Sequence, residues 1–418
     1  MNRLIKYCGL LTLLSLSIWS ASATDYDYEL LNENDGFPSS IIFSIIQDED
    51  GFLWFGTGYN GILRYDGKNV VTFQHNPEDP NSLPNNNAGN LTLDSDGNIW
   101  IGSWGGGAIK FDRKSQLFTQ YEYSPDDPFK VNDTKIQRVF EDANRTMWFG
   151  SRTGGLSNYD SSTQMFEQIP MQNSDYDGIS DGRVWDIEQS EPNVLWVGTE
   201  SGLSKLDIAT SKFSYLFPEP EIPRSTLNKI RTIEVDKQGD LYLGTQNGVV
   251  FFNTKNAEFV VLPIDSPSLS NMGPIYSMIN TSFGEYWVTS DHGIFSFSDR
   301  DKTLRKVPLG FDDSCGKSLF QDKQGTIWLN CEGVGVYKVS RSTTFRSFDD
   351  QRVKTAFSLE VANDDSVLVG TSQNGLQKWI PESNQLIKLN NGEANNSWPA
   401  IEYIAQTSKD EIWYANSR

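Results

Sequence analysis

Along most of the chain, apolar and polar positions alternate in runs of four to seven residues, and the three-to-four-residue periodicity of a helix is absent. The runs come in sets. A mixed apolar stretch such as "IIFSIIQD" (41–48) or "IQRVFED" (136–142) leads into a D-x-x-G turn, and "FLWFGT" follows, ending at Gly56. A loop closed by Gly61 precedes "ILRYD", and a less regular fourth run completes the set: "VVTFQH" (70–75), "QLFTQYE" (116–122), "KFSYLF" (212–217) or "EFVVLP" (258–263). The Asp of the turn caps local backbone donors, and its Gly takes a positive φ. Each set reads as four antiparallel strands.

The set repeats. "DEDGFLWFGTGYNGILRYD" (48–66) recurs as "DSDGNIWIGSWGGGAIKFD" (94–112), "DANRTMWFGSRTGGLSNYD" (142–160) and "SEPNVLWVGTESGLSKLD" (190–207), and then in looser copies to the end of the sequence. One large side chain heads each copy: Trp54, Trp100, Trp148, Trp196, Tyr242, Trp287, Trp328, Leu368 and Trp413. Neighbouring copies lie 40 to 48 residues apart, the length of one propeller blade. The fold expected is all-β: a β-propeller, most simply of seven four-stranded blades, with the start of a second. A single larger ring is the alternative that the period leaves open. In a propeller the sheets pack face to face, so a Trp on a middle strand fills the wedge between neighbours, and Gly at the strand end admits close backbone approach. Trp54, Trp100, Trp148, Trp196, Trp287, Trp328 and Trp413 are therefore expected to be structural. "TDYDYELL" (24–31) has no blade of its own and suits the missing outer strand of blade 7, which would seal the ring. The expected division is a signal segment at 1–23, a first propeller at 24–340, and the first blades of a second at 341–418.

The pattern D-x-x-G-x-[LI]-W-[FVI]-G-[TS]-x-x-G resembles the two-component regulator propeller family, as does the opening "YELLNENDGFPSS" (28–40). Thr289 and Asn330 depart from it where Gly is usual, and the copies at Trp287 and Leu368 are looser. The resemblance implies a periplasmic sensor region. In that family two seven-bladed propellers precede a small β-sandwich, a membrane helix and a cytoplasmic histidine kinase or diguanylate cyclase. No output signature of either kind occurs in this sequence, which stops inside its ninth copy and reads as a piece of a longer protein. The chain as given is expected not to be an enzyme, and to need no cofactor. The resemblance further implies a homodimer in the full receptor, with membrane contact only through a part beyond Arg418.

Charge narrows the partners. Thirty-five Lys and Arg against 55 Asp and Glu give a net charge of −20, a field that repels nucleic acid and anionic lipid. Export is indicated by Arg3 and Lys6, then "YCGLLTLLSLSIW", then the small residues Ala21, Ser22 and Ala23. That apolar run is too short for an ordinary membrane span, and Cys8 lacks a lipoprotein box. After cleavage only Cys315 and Cys331 remain. A hairpin about residues 323–325 makes them diagonal neighbours on one face, so they form either a disulfide or two separate buried thiols.

Chemistry is sparse. His75 and His292 lie in different blades, no metal-ligand spacing occurs, and no nucleophile elbow is present. Binding is better supported, at positions that break the repeat near the channel mouth. On the loops between second and third strands these are Tyr59, Trp104, Arg152 and His292; at the starts of inner strands they are Arg138, Arg183, Trp185 and Arg231. Aromatic rings beside Arg suit a sugar face or a carboxylate, so an extracellular ligand such as a carbohydrate or its breakdown product is expected, with Trp104 and Arg152 the leading residues. The connectors at 76–87 and 124–133 read as ordered turns or a mobile rim. The competing readings are a periplasmic protein-interaction scaffold and a secreted carbohydrate-active propeller enzyme.

Overall fold

The computed structural model describes residues 26–341, apart from 39–40, 173–176, 223, 267–268, 270–271, 310 and 312–314, and residues 356–416, apart from 363–365, 372–374, 381–384, 390–399 and 408–410. The expected signal segment, 1–23, lies outside the described residues. Contacts divide the chain into two compact units that part between residues 342 and 343.

The first unit contains seven four-stranded antiparallel sheets. Six are built from four consecutive strands; blade 1, for example, runs Ile42–Gln47, Leu53–Thr57, Ile62–Tyr65 and Val70–Phe73. The seventh takes Leu319–Gln321, Ile327–Cys331 and Gly335–Arg341 from the end of the unit and Tyr26–Leu31 from its beginning. The pairing Tyr26↔Arg341 through Leu31↔Val336 fastens the ring. Inner strands neighbour one another in sequence around the axis, and the seventh returns to the first. At that seam Ser318 Oγ donates to Ile42 O at 3.2 Å, and Lys323 N donates to Gln47 Oε1 at 2.8 Å. The unit is a seven-bladed β-propeller closed by its N-terminal strand.

The repeated residues account for this. In blade 2, Asp94 Oδ1 accepts the backbone N–H of Asp96 and Asn98 at 3.0 and 2.7 Å, closing the turn. Its Oδ2 accepts the indole N–H of Trp100 at 2.9 Å. Asp48 holds Trp54, Asp142 holds Trp148 and Asp322 holds Trp328 in the same way, at 2.8, 2.9 and 2.8 Å. The motif thus couples a turn cap to a core donor, so that a large apolar ring is buried without an orphaned N–H. Ser190 serves Trp196 at 2.9 Å in blade 4. Blade 6 has Thr281 at this position, and Trp287 Nε1 is buried without a partner.

Each ring then wedges into the next sheet. Trp54 packs on Ile99, Ile101 and Phe111 of blade 2, Trp100 on Val139 and Phe149 of blade 3, and Trp328 on Leu53 and Phe55 of blade 1. Trp54 and Trp100 are 1% exposed. The strand-end Gly has the role expected of it at Gly56, where a Cβ would stand 2.7 Å from the carbonyl oxygens of Ala88 and Gly89. Cys315 and Cys331 form a disulfide, with Cα atoms 4.2 Å apart. It ties the approach to the innermost strand of blade 7 to the strand beside it.

The second unit repeats the design in part. Ala356–Val361, Val367–Thr371, Leu376–Ile380 and Gln385–Lys388 form one sheet, and Ile401–Gln406 pairs with Ile412–Asn416. Leu368 is fully buried, with Ile404 and Ile412 against its cluster. Trp413 departs from the wedge expected of it: it is 66% exposed, because no further described sheet stands against its hairpin.

Candidate functional site

The inner strands share an irregularity that the repeat does not announce. In six blades the pairing of first and second strands slips by one residue, between Ile42/Ser44, Ala88/Asn90, Ile136/Arg138, Val184/Asp186, Ile230/Thr232 and Ile275/Ser277. The residue left out of the ladder is Phe43, Gly89, Gln137, Trp185, Arg231 or Tyr276. A bulge of this kind re-aims its side chain, and all six residues line one cavity of about 580 Å³ on the ring axis, together with Lys317 from blade 7. These seven positions each stand eleven residues before the large core residue of their blade.

The next residue along four of these strands laces the blades together. Ser44 Oγ accepts from Leu91 N at 2.9 Å, Asn90 Oδ1 from Val139 N at 2.9 Å, Asp186 Oδ2 from Ile233 N at 2.8 Å, and Ser277 Oγ from Leu319 N at 3.1 Å. The cavity wall is therefore held by side-chain-to-backbone bonds between blades, and among the described bulge side chains Arg231 alone shares that duty, donating to Ile275 O at 3.1 Å.

At the mouth these side chains and the neighbouring loops form a belt of rings and cations. Gly89 leaves space in blade 2 that Trp104 fills, its Cδ1 3.6 Å from where a Cβ would be. Trp104 stacks on Phe43 with centroids 5.8 Å apart, and the Arg152 guanidinium lies 5.0 Å above it. Across the mouth, Arg231 lies 4.3 Å from the Trp185 ring and 5.3 Å from the Tyr276 ring, and Lys317 Nζ sits 3.5 Å from the latter. Trp185 Nε1 donates to Glu200 at 3.0 Å, and the Tyr276 hydroxyl donates to Asp291 at 2.6 Å, which fixes both rings.

Deeper in the same cavity the charge reverses. Arg138 pairs with Asp186 at 2.8 Å and Glu188 at 2.9 Å, with Glu234 alongside. Two carboxylates thus share one guanidinium, with a third nearby. Burial, with Asp186 nearby, pushes Glu188 up to about 7, and burial beside Glu188 and Asp186 raises Glu234 well above the usual carboxylate range.

Of the residues expected at the mouth, Trp104, Arg152, Arg138, Trp185 and Arg231 line the cavity. Arg183 does not: it lies 5.0 Å from the Trp185 ring, outside the lining, and pairs with Glu200 at 3.6 Å. Tyr59 is 74% exposed, and His292 is an exposed loop residue; neither lines the cavity. His75 is a strut of the 76–87 connector, its Nδ1 3.0 Å from Leu83 O. The sequence reading missed Phe43, Gln137, Tyr276, Lys317, Asp186, Glu188 and Glu234. The constant offset from the core ring would have found the first four. Among the described residues no group of His, Cys, Asp and Glu is arranged to hold a metal ion, and no helix is long and apolar enough to cross a membrane.

The two component regulator propeller repeat matches residues 36–59 and 82–105, each match spanning an innermost strand, its D-x-x-G turn and the Trp strand. No curated protein matches the chain significantly. Among solved structures, the extracellular domain of BT3049 from B. thetaiotaomicron, named as a hybrid two component system, is similar with 20% identity and a TM-score of 0.65, over 94% of this chain and 52% of that one. That of BT4673, named as a one component system, gives 17% and 0.57, over 94% and 51%. The chain therefore spans about half the length of these relatives. Virginiamycin B lyase from Staphylococcus aureus, at 15% identity and a TM-score of 0.58, matches 75% of this chain over 99% of its own.

Proposed function

We propose that this chain, built from two component regulator propeller repeats, is the periplasmic ligand-sensing region of a membrane-bound signal transduction receptor of the histidine kinase or diguanylate cyclase type, and is not itself an enzyme. The observation that carries the reading is the division between repeated and unrepeated positions. Repeated residues cap the turns and wedge between blades, whereas the bulge positions, which carry Phe, Gly, Gln, Trp, Arg, Tyr and Lys, converge on one cavity. Structure alone needs no such variety at seven equivalent places. A cavity of about 580 Å³ walled by aromatic rings and a few charged groups has the size and composition of a small-molecule site. The relatives' names, an extracellular domain of a hybrid system among them, point the same way.

In this reading the ligand seats on the belt at the mouth, and the signal leaves through a change in dimer geometry of the full receptor. The lyase similarity rests on fold, and the cavity wall here contains neither His nor Cys. The test is a thermal-shift screen of small extracellular metabolites on the exported chain, repeated with Trp104→Ala/Arg152→Ala. The expected result is stabilisation of the parent by one or a few compounds, lost in the double variant. Stabilisation that survives both substitutions would remove the mouth as the site.

A further inference from the structure

We propose that the mouth selects a ligand carrying a carboxylate on a ring, either a sugar acid or an aromatic acid. This inference rests on the reading of the mouth as the ligand site, and it adds the charge and shape of what binds there.

Carboxylates outnumber cations 55 to 35, so acidic partners are abundant. Elsewhere around the channel they are used: Arg138 takes Asp186 and Glu188, and Arg183 and Lys229 share Glu200. Three mouth cations are exceptions. Among the described residues the side chains of Arg152 and Lys317 have aromatic faces as their partners and no carboxylate. Arg231 hydrogen-bonds only neutral acceptors, Gln246 Oε1 at 3.0 Å and Ile275 O at 3.1 Å, with Glu200 and Asp291 near enough to act on its charge but making no ion pair with it, and burial pulls its pKa below the ordinary arginine value. These groups come from blades 3, 5 and 7, so they surround the opening rather than cluster on one side of it.

Each cation is seated on a ring. Arg152 covers Trp104; Arg231 and Lys317 flank Tyr276, and Arg231 also covers Trp185. A flat ligand can stack on such a plate while its anionic substituent meets the adjacent cation. The lower tier sets the orientation. Glu188 and Glu234 lie three residues down their strands from Trp185 and Arg231, about 10 Å at strand rise. The shaft offers an anion no free cation, because Arg138 is already paired with Asp186 and Glu188, so the anion stays at the belt. In a protein of charge −20, cations at the belt above a shaft whose one guanidinium is taken define where an anion can rest.

The experiment is calorimetric titration of the exported chain with galacturonate, glucuronate, benzoate and 4-hydroxybenzoate, each beside its uncharged counterpart: galactose, glucose, benzamide and 4-hydroxybenzamide. The sugar and benzoate arms separate the two sources of the shared chemistry. The expected result is that at least one acid binds about 10- to 100-fold tighter than its counterpart, that added salt narrows the gap, and that Arg152→Gln with Lys317→Gln removes it. Arg152→Lys should restore part of the preference. A neutral compound that binds as tightly as its acid, and is lost in Trp104→Ala, overturns the carboxylate inference and leaves the mouth reading standing. An acid whose binding is unchanged by Trp104→Ala overturns both. Failure of all eight compounds to bind overturns the inference alone, because the wider metabolite screen decides the site.

Discussion

Trp100 and Trp413 occupy the same place in two copies of one motif, and they meet opposite surroundings. Trp100 is 1% exposed, held by Asp94 and wedged against the sheet of blade 3. Trp413 is 66% exposed, on a hairpin with no further described sheet beside it. The motif therefore does not bury its own ring. It presents an indole edge-on to a neighbour, and the neighbour supplies the burial. Stability of such an array belongs to the contacts between repeats, which is why sealing the ring with Tyr26–Leu31 matters: it gives the last wedge, Trp328, a first blade to enter.

The largest effect expected from this comparison is at the two indoles themselves. Trp100→Ala should destabilise the first unit by about 3–5 kcal/mol, and Trp413→Ala should change stability by less than about 0.5 kcal/mol. Equilibrium urea unfolding followed by circular dichroism measures both, and equal losses would show that the two rings are equivalently packed.

Closure also creates a shaft, and the shaft has a titration of its own. Glu188 keeps its proton up to about 7 in the folded chain against an ordinary 4.5, and Glu234 is raised likewise. Between those values the folded state holds more protons than the unfolded, so stability falls as pH rises through the window and is level above it. The first unit should be more stable at pH 5 than at pH 8, by about 2–3 kcal/mol from Glu188 alone, and Glu188→Gln should shrink the difference. Exposed turn carboxylates act in the opposite sense and at lower pH: Asp112 and Asp160, held down by hydrogen bonds from Ser115 and Ser162, lose their contribution only in acid. Unfolding measured at both pH values in parent and variant decides; a parent more stable at pH 8 would contradict the shaft assignment.

A smaller effect tests the Asp–Trp coupling inside the ring. Trp287 is buried with its N–H unmatched because Thr281 stands where other blades have Asp. Thr281→Asp should supply the acceptor and raise stability by about 1 kcal/mol. A loss instead of a gain would mean that the coupling depends on more than the two residues.

The fold was largely legible because one wedge contact recurs about every 45 residues, and most recurrences write the same Asp, Gly and Trp. What the letters did not reveal was that the turn Asp and the core Trp are hydrogen-bonded to each other, since both had separate sufficient reasons to be present. The site was legible only in part. Trp185 and Arg231 stood out by residue type and lie on bulges, whereas Phe43 and Tyr276, at the same register, read as ordinary strand residues. Arg138 was noticed one position away from its blade's bulge, Gln137, because a slip of one residue is invisible until the partner strand is known. Glu188 and Glu234 were hidden among 55 acidic residues; only their position in the shaft distinguishes them. Tyr59 and His292 were chosen for their loop, and neither is among the residues that line the cavity.

The account separates residues that hold the ring from residues the ring displays, and blade 4 carries one indole of each kind, eleven positions apart. Equilibrium unfolding of Trp185→Ala beside Trp196→Ala is the direct test. The prediction is a loss of about 3–5 kcal/mol for Trp196→Ala and less than about 1 kcal/mol for Trp185→Ala. Comparable losses at both positions would mean that the displayed residues are structural after all, and the mouth would lose its claim to be a binding site.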